Sequence, residues 1–443
     1  MATIAIATRW RFGQLVDAHT PFVEWDTQVF EQIAELPLSP GLVVSSKPLI
    51  VPLVYRAAHN DALRIIGFQA ELSFWAWAIL TASVTYAVRR RWVRLLAAGI
   101  GAAFLLEPMR IGFTGSLMPE SVNDSLLALC AAGAIALVRL TGPARRAAAV
   151  ATGVLTIAWL FTRDTNAFIA MTAAALAMII WRGWRSRAAW GLSALVAVCA
   201  AITLWSASVA HEPLPFQRTW YAGFTPRSAF PTLNNLTVRV RRDEPDAFPA
   251  TLRQFDDAWL LLPANPDLRP LQDWMAQHGA AIYARWLVRH PIDRIIAVVE
   301  FRWELLTANL SHYMPGHWVQ RRRVSFRTLT SNRWVLRLLL LASPLVLWRP
   351  RGDRLRGVIL CIAVSAIVGI FASYYGDAIE LTRHCYGASQ QLVLGLFLAS
   401  IAWLDGVRRT RAGVAASVNP ATGVDALPDR AEAGRASAIG GLE

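Results

Sequence analysis

The side chains best suited to chemistry fall in four short stretches. Glu24 and Asp26 flank Trp25 in the first, and the chain's one lysine, Lys47, follows downstream. The second, GSLMPESVNDS, holds Glu120 and Asp124, and the third, LFTRDTNAF, holds Arg163 and Asp164. The fourth, YYGDAIELTRHCYGASQQ, gathers Tyr374, Tyr375, Asp377, Glu380, Arg383 and His384. A carboxylate can take the proton of an attacking hydroxyl, and cations can hold a phosphate and offset charge on a leaving group. The arginine fork matches phosphate oxygens in pairs. If the fourth stretch is helical, Glu380 and His384 share a face at i and i+4, with Arg383 beside them.

Each stretch also has a plainer reading. Loop acids are usually solvated. Asp124, and less readily Glu120, would favour the positive end of a helix, with Ser121 or Asn123 accepting from its first amides. Asp164 could pair with Arg163. The tyrosine-rich stretch could be an interfacial aromatic belt with an ion pair.

The elements that must position these residues are apolar. Of 443 residues 55% are hydrophobic and 17% charged, against about 25% charge in soluble domains. The apolar residues come in runs at 68–88, 93–110, 125–140, 147–162, 165–181, 189–210, 334–348, 357–375 and 389–404. Runs of this length match the bilayer core as helices, and open strands would leave backbone groups unpaired in lipid. The expected fold is all-α: a polytopic transmembrane bundle of about nine spans with a mostly helical outer segment. The run 93–110 is the weakest and ends near Glu107-Pro108.

The net charge of +14 suggests at first a nucleic-acid or anionic-lipid surface. Its distribution argues for topology instead. Arginines follow alternate runs: Arg89, Arg90, Arg91 and Arg94; Arg139, Arg145 and Arg146; Arg182, Arg185 and Arg187; Arg349, Arg351, Arg354 and Arg356; Arg408, Arg409 and Arg411. The positive-inside rule puts that side in the cytoplasm. The expected organisation is an outer N-terminal loop at 1–67, six spans within 68–210, an outer segment at 211–333, three spans within 334–404, and a disordered cytoplasmic tail at 405–443. Lys47, Arg163 and Arg383 are outer-side exceptions to the charge bias.

Other signals are weaker. Cys130, Cys199 and Cys361 lie in apolar runs and Cys385 stands alone, without a disulfide framework or CxxC site. No Gly-rich phosphate loop is evident; Gly99 and Gly101 sit inside an apolar run. The outer segment carries two stripes at helical spacing. One is Leu271, Met275, His278, Ile282 and Trp286; the other is Ile292, Ile295, Val299, Trp303, Leu306 and Leu310. Both suit a membrane surface or the cover of a cavity. The acids Asp243, Glu244 and Asp246 are expected to face solvent.

In this order the motifs resemble those of the GT-C superfamily of polytopic glycosyltransferases, in particular the protein mannosyltransferase and aminoarabinose-transferase type. Trp25-Asp26 through Phe30 and Ile33-Ala34 match its first outer loop, and Lys47-Pro48-Leu49 with Pro52-Leu53 match the string that leads into a span. Phe161-Thr162-Arg163 match a turn between middle spans. Gly376-Asp377, Glu380 and Arg383-His384 match the string before a last span, and His290-Pro291 has a counterpart in the outer segment. The chain departs at Glu24-Trp25-Asp26, where the family has adjacent acids. It departs also at its start, where the family's first span is missing or reduced to MATIAIAT before Arg9 and Arg11.

The resemblance implies transfer of a hexosyl or pentosyl group from a polyprenyl-phosphate donor to a cell-envelope glycan, lipid or protein on the outer face of a bacterial inner membrane. Asp26 would be the base, with Lys47, Arg163 and Arg383 on the phosphate. Glu24, Glu120, Glu380 and His384 would position substrate. No metal or cofactor is required, although a divalent cation is compatible, and nucleic acid is not a partner. The competing classes are a transporter or flippase of lipid-linked sugar or polysaccharide, and a non-catalytic protein of the same fold. Few ionisable residues fall in mid-run, Glu71 and Arg337 lying near outer ends, and the halves show no repeat, which disfavours an ion-coupled transporter.

Overall fold

The computed structural model describes residues 2–16, 21–23, 25–45, 47–181, 187–209, 235–252, 269–306, 332–347, 354–376 and 381–406. The chain divides into two units, 1–405 and 406–443, and the second lies outside the described residues apart from Gly406. Among the described residues every regular element is helical, and the one β-type contact is an isolated parallel bridge between Phe22 and Ser116.

All nine apolar runs fall in helices. We number the helices α1 (Ala2–Leu15), α2 (Trp25–Glu35), α3 (Ile50–Ala57), α4 (Ala62–Ala87), α5 (Arg91–Leu105), α6 (Pro108–Thr114), α7 (Pro119–Ala136), α8 (Gly142–Leu160), α9 (Thr165–Ile180) and α10 (Arg187–Val209). Then come α11 (Arg269–Arg289), α12 (Pro291–Glu300), α13 (Arg302–Leu306), α14 (Arg333–Leu347), α15 (Arg354–Gly376) and α16 (Leu381–Gly406). Among the described residues four helices are long and apolar enough to cross a membrane: Ala62–Ala87, Ala189–Val209, Arg354–Gly376 and Leu381–Gly406. The pair α5 and α6, bent by 49° at residues 106–107, brings the number to five. The expected run 93–110 is therefore broken, and Pro108, which lacks an amide and fixes its own φ, opens the second piece. Helices α9 and α14 have 16 and 15 residues, a rise of about 24 Å or less against a hydrocarbon core of about 30 Å.

Helix α4 packs on α5 and α7, and α9 packs on α10 and α15. Trp77 and Phe104 stack at 5.2 Å between α4 and α5. Where α16 crosses α7, Gly387 leaves room for Asn123: a Cβ there would lie 2.8 Å from the amide nitrogen. A small residue at a crossing lets two backbones approach.

Within 1–67 the described residues carry α1 to α3 and the start of α4. In α1 the buried Phe12 meets Phe74 of α4 at 6.0 Å, and Arg9 pairs with Glu71. In α2 the stripe expected from spacing is buried: Val29, Phe30, Ile33 and Ala34 face inward. At the opposite end of the bundle, Asp405 accepts from the amides of Arg89 (3.1 Å) and Arg90 (3.0 Å) and so caps α5. Asp405 therefore belongs to α16 and not to a tail. Arg139 donates to the carbonyl of Ala87, the last residue of α4, at 2.6 Å.

The described part of 211–333 docks on the C-terminal end of α15. Arg239 donates to Tyr374 O (2.7 Å), Asn235 to Tyr375 O (2.9 Å), and the Tyr375 hydroxyl to Arg294 O (2.6 Å). Asp243 and Asp246 are exposed as expected, and Asp243 accepts from Arg294 and Trp286. The two expected stripes divide. Trp286 and Leu306 are buried, whereas His278, Ile292, Ile295 and Val299 are exposed and Leu310 lies outside the described residues. The buried side of α12 is marked by Val298, because Trp286, Leu305 and Leu306 set the docking face.

Candidate functional site

Backbone contacts bring four distant stretches to one end of the bundle. Phe22 N donates to Gly115 O (3.2 Å) and Leu117 N to Phe22 O (2.9 Å), tying the approach to α2 against the approach to α7. The Thr27 hydroxyl adds a bond to Leu117 O at 3.1 Å. Asp26 and Glu120 thus sit in the first turns of two helices laid side by side. Ile50 N donates to Phe161 O (3.0 Å), joining the start of α3 to the turn that carries Arg163. The Ser45 hydroxyl donates to Lys47 O at 2.9 Å and shapes the bend that presents Lys47. Arg383 enters from the first turn of α16.

The turn between α8 and α9 is fixed from within. The side-chain oxygen of Asn123 accepts from Thr162 Oγ1 and from Asn166 Nδ2, both at 2.8 Å, and Asn166 also donates to Trp159 O. All three of these polar side chains are buried, so their bonds to each other settle the turn. Arg163 is the next residue, and it is aimed across the end of α7.

Five charges then alternate in sign. Lys47 Nζ donates to Asp26 Oδ1 at 2.8 Å, and Arg383 Nη2 to Asp26 Oδ2 at 2.7 Å. Arg383 Nε reaches Glu120 Oε1 at 3.1 Å, and Arg163 Nη2 reaches the same oxygen at 2.6 Å. Arg163 Nη1 also donates to His384 O at 3.4 Å. The order is Lys47, Asp26, Arg383, Glu120, Arg163, three cations against two carboxylates. One positive charge is in excess, which suits an anion.

The ladder is most open at the Lys47 end and driest at Glu120. Side-chain exposure is 25% for Lys47 and 28% for Asp26, falls to 9% for Arg383 and 1% for Glu120, and is 13% for Arg163. Burial alone would push the Asp26 carboxyl up, but Lys47 and Arg383 outweigh it and hold that group well below the usual carboxylate range. The second oxygen of Glu120, Oε2, is buried with no hydrogen-bond partner. A buried acceptor of this kind asks for a donor. The Lys47 ammonium also lies 5.7 Å from the centre of the Phe30 ring. On either side of Lys47 in the sequence, Leu38, Ser39, Pro40, Leu42, Val43, Leu49 and Leu53 line an open, mostly apolar pocket of about 360 Å³.

Of the residues expected to act, Asp26, Lys47, Glu120, Arg163 and Arg383 converge. His384 contributes its carbonyl. Glu24 and Glu380, with Asp377, lie outside the described residues. Helix α7 begins on Pro119 without a side-chain cap and Asn123 turns to Thr162 and Asn166, so the capping reading falls, although Glu120 does lie in the first turn, at the positive end of the helix. Arg163 finds its ion-pair partner in Glu120.

A second buried cluster escaped sequence reasoning. Arg110 Nε meets Asp124 Oδ2 at 2.5 Å, one turn along α7 from Glu120, and its guanidinium lies 3.9 Å from the Trp77 ring centre. Arg110 also donates to Phe104 O, and the Glu107 carboxylate accepts from Arg110 N at 2.9 Å. The signal was the arginine placed just past Glu107-Pro108, at the end of the weakest apolar run. Among the described residues no group of three or more His, Cys, Asp or Glu could hold a metal ion.

No protein-family model matches the chain, and neither a curated protein nor a solved structure matches it.

Proposed function

We propose that this chain is an integral membrane glycosyltransferase of the GT-C type. It takes a sugar from a polyprenyl-phosphate donor and passes it to a cell-envelope acceptor at the outer face of a bacterial inner membrane. The observation that carries this reading is the ladder of Lys47, Asp26, Arg383, Glu120 and Arg163, drawn from five separate places in the chain to one end of a helical bundle. Three cations there suit a phosphate, and the carboxylates suit the proton and hydroxyls of an acceptor.

Chemically, the acceptor oxygen bonds to the anomeric carbon while the bond from that carbon to the phosphate oxygen breaks. The acceptor's proton goes to Asp26, and the electron pair leaves on the polyprenyl phosphate. Lys47 and Arg383, with Arg163 behind them, offset the charge on that phosphate. Glu120 Oε2, buried and without a donor, is placed to accept from an acceptor hydroxyl. The open, mostly apolar pocket lined by Leu42, Val43, Leu49 and Leu53 suits part of a hydrocarbon chain.

In this reading all nine apolar helices are spans. Arg89, Arg90 and Arg139 cluster at the end of the bundle away from the ladder, so the positive-inside rule puts the ladder outside and the C-terminus in the cytoplasm. The exposed face of α12, with Ile292, Ile295, Ile296 and Val299, then rests in the lipid interface.

The test is transfer of labelled sugar from a polyprenyl-phosphate donor in membranes that contain the protein. Wild type should form product, and Asp26→Asn and Arg383→Ala should not. Normal rates in both variants would overturn the site. Movement of labelled lipid-linked sugar across vesicles without product would replace the enzyme with a transporter.

A further inference from the structure

A carboxylate bound at both oxygens by cations is a poor base, yet Asp26 is so bound. Its Oδ1 takes Lys47 at 2.8 Å and its Oδ2 takes Arg383 at 2.7 Å. Those are the same two cations that a donor phosphate would need. Carboxylate and phosphate are recognised by the same donors on lysine and arginine, so the two anions compete for one place.

We propose that Asp26 occupies, in the ligand-free protein, the position a donor's phosphate takes, and that the phosphate displaces it from Lys47 and Arg383. The inference rests on the reading of this site as a donor site, and it adds an order: donor first, acceptor second. Until the phosphate arrives, the base is tied up. Once the phosphate holds both cations, Asp26 is a partly buried carboxylate without a counter-ion, which favours taking a proton.

Three features place the exchange at Asp26 rather than at Glu120. The Lys47–Asp26 end of the ladder is the exposed one, whereas Glu120 and Arg383 are 1% and 9% exposed, so a ligand meets Lys47 and Asp26 first. An open, mostly apolar pocket suited to a hydrocarbon chain is lined by Leu42, Val43, Leu49 and Leu53, which flank Lys47 in the sequence. Glu120 keeps Arg163 after the exchange, so the buried carboxylate stays paired while Arg383 turns to the phosphate. The competing account makes Asp26 a fixture that holds Lys47 and Arg383 in position for the phosphate. The two accounts predict opposite signs for one substitution.

The experiment measures binding of polyprenyl phosphate, without sugar, to the full chain in nanodiscs. In Asp26→Asn Lys47 loses its carboxylate and Arg383 loses one of its two, keeping Glu120, and polyprenyl phosphate should bind at least about tenfold more tightly than to wild type. Adding Lys47→Gln should abolish the gain. Polyprenol, with the same tail and no phosphate, should show no such gain. Equal or weaker binding to Asp26→Asn, with wild type binding normally, overturns the displacement and leaves the donor-site reading standing. Absence of binding to either protein overturns both.

A measurement on wild type alone guards against misfolding of the variant. Lys47 is the only lysine, so reductive ¹³C-methylation gives one lysine signal beside that of the terminal amine. Saturating polyprenyl phosphate should move that signal, and polyprenol should not. A signal that ignores the phosphate overturns the displacement.

Discussion

Arg383 and Asp26 stand 357 residues apart in the chain and 2.7 Å apart in space. The bond joins the first turn of the last helix to the first turn of α2. Because Arg383 Nε also reaches Glu120 at 3.1 Å, a single guanidinium links three helices at one end of the bundle. A planar fork can face two carboxylates at once, which a point charge on a flexible stem does less well.

Removing Arg383 should therefore cost stability as well as activity. Arg383→Ala leaves the 1%-exposed Glu120 with Arg163 as its remaining cation, so the loss should fall short of that for a wholly stranded buried charge, about 3–5 kcal/mol. Pairing it with Glu120→Gln should recover part of that loss, because the less fully compensated carboxylate disappears. Thermal unfolding of the two single variants and the double variant checks this. Strict additivity would show that Arg383 and Glu120 do not interact.

Acid should act on the site through Asp26. Burial works to raise its carboxyl, and Lys47 and Arg383 more than reverse this, leaving the folded value below the ordinary 3.8. A depressed folded value means the group stabilises the folded state above the unfolded value and loses that contribution as pH falls toward the folded one. The stability difference between wild type and Asp26→Asn should thus be constant from neutral pH to about pH 5 and shrink at lower pH. Denaturant unfolding across that range reads it. A difference that grows on acidification would contradict the ion pairs at Asp26.

Some of this was legible in the residues. Apolar runs located nine helices, because burial in any apolar medium demands the same residue types. Three of the four site stretches stood out because Lys47, Arg163 and Arg383 break the arginine bias. What the sequence hid was pairing. Asp124 reads as a helix cap, since local spacing is all that a sequence shows, yet its partner Arg110 comes from the far side of a broken helix. Arg163 reads as paired with its neighbour Asp164, but the backbone bond between Ile50 and Phe161 sets it among other stretches. The stripe on α12 reads as suited to a membrane surface or the cover of a cavity, and spacing alone does not show that Trp286 and Leu306 are buried while Ile292 stays exposed.

The Asn123, Thr162 and Asn166 network should govern the aim of Arg163. Asn166→Leu removes two donors and leaves the Asn123 oxygen with Thr162 alone in a buried setting, at a cost of about 1–3 kcal/mol. In the proposed reaction it should lower transfer, because Arg163 no longer meets Glu120 in register, although Asn166 touches no charge of the ladder. The checks are thermal unfolding and the initial transfer rate. Full activity at reduced stability would separate the turn from the site.

The Arg110–Asp124 pair allows a sharper distinction between stability and chemistry. Both side chains are buried, at 2% and 4% exposure, and Arg110 also packs on Trp77. Arg110→Met should destabilise by about 3–5 kcal/mol, because Asp124 keeps its charge without its partner. Adding Asp124→Leu replaces the pair with apolar groups of similar size, which in other proteins is often neutral or stabilising. The double variant should therefore melt close to wild type. If the pair only holds α6 against α7, the double variant keeps full transfer. If its charge helps to set the field around Glu120, one turn away on the same helix, transfer falls while stability is restored. Unfolding and initial rates on the same three proteins decide between these outcomes, and a double variant no more stable than Arg110→Met alone would show that the buried charges are not the source of the cost.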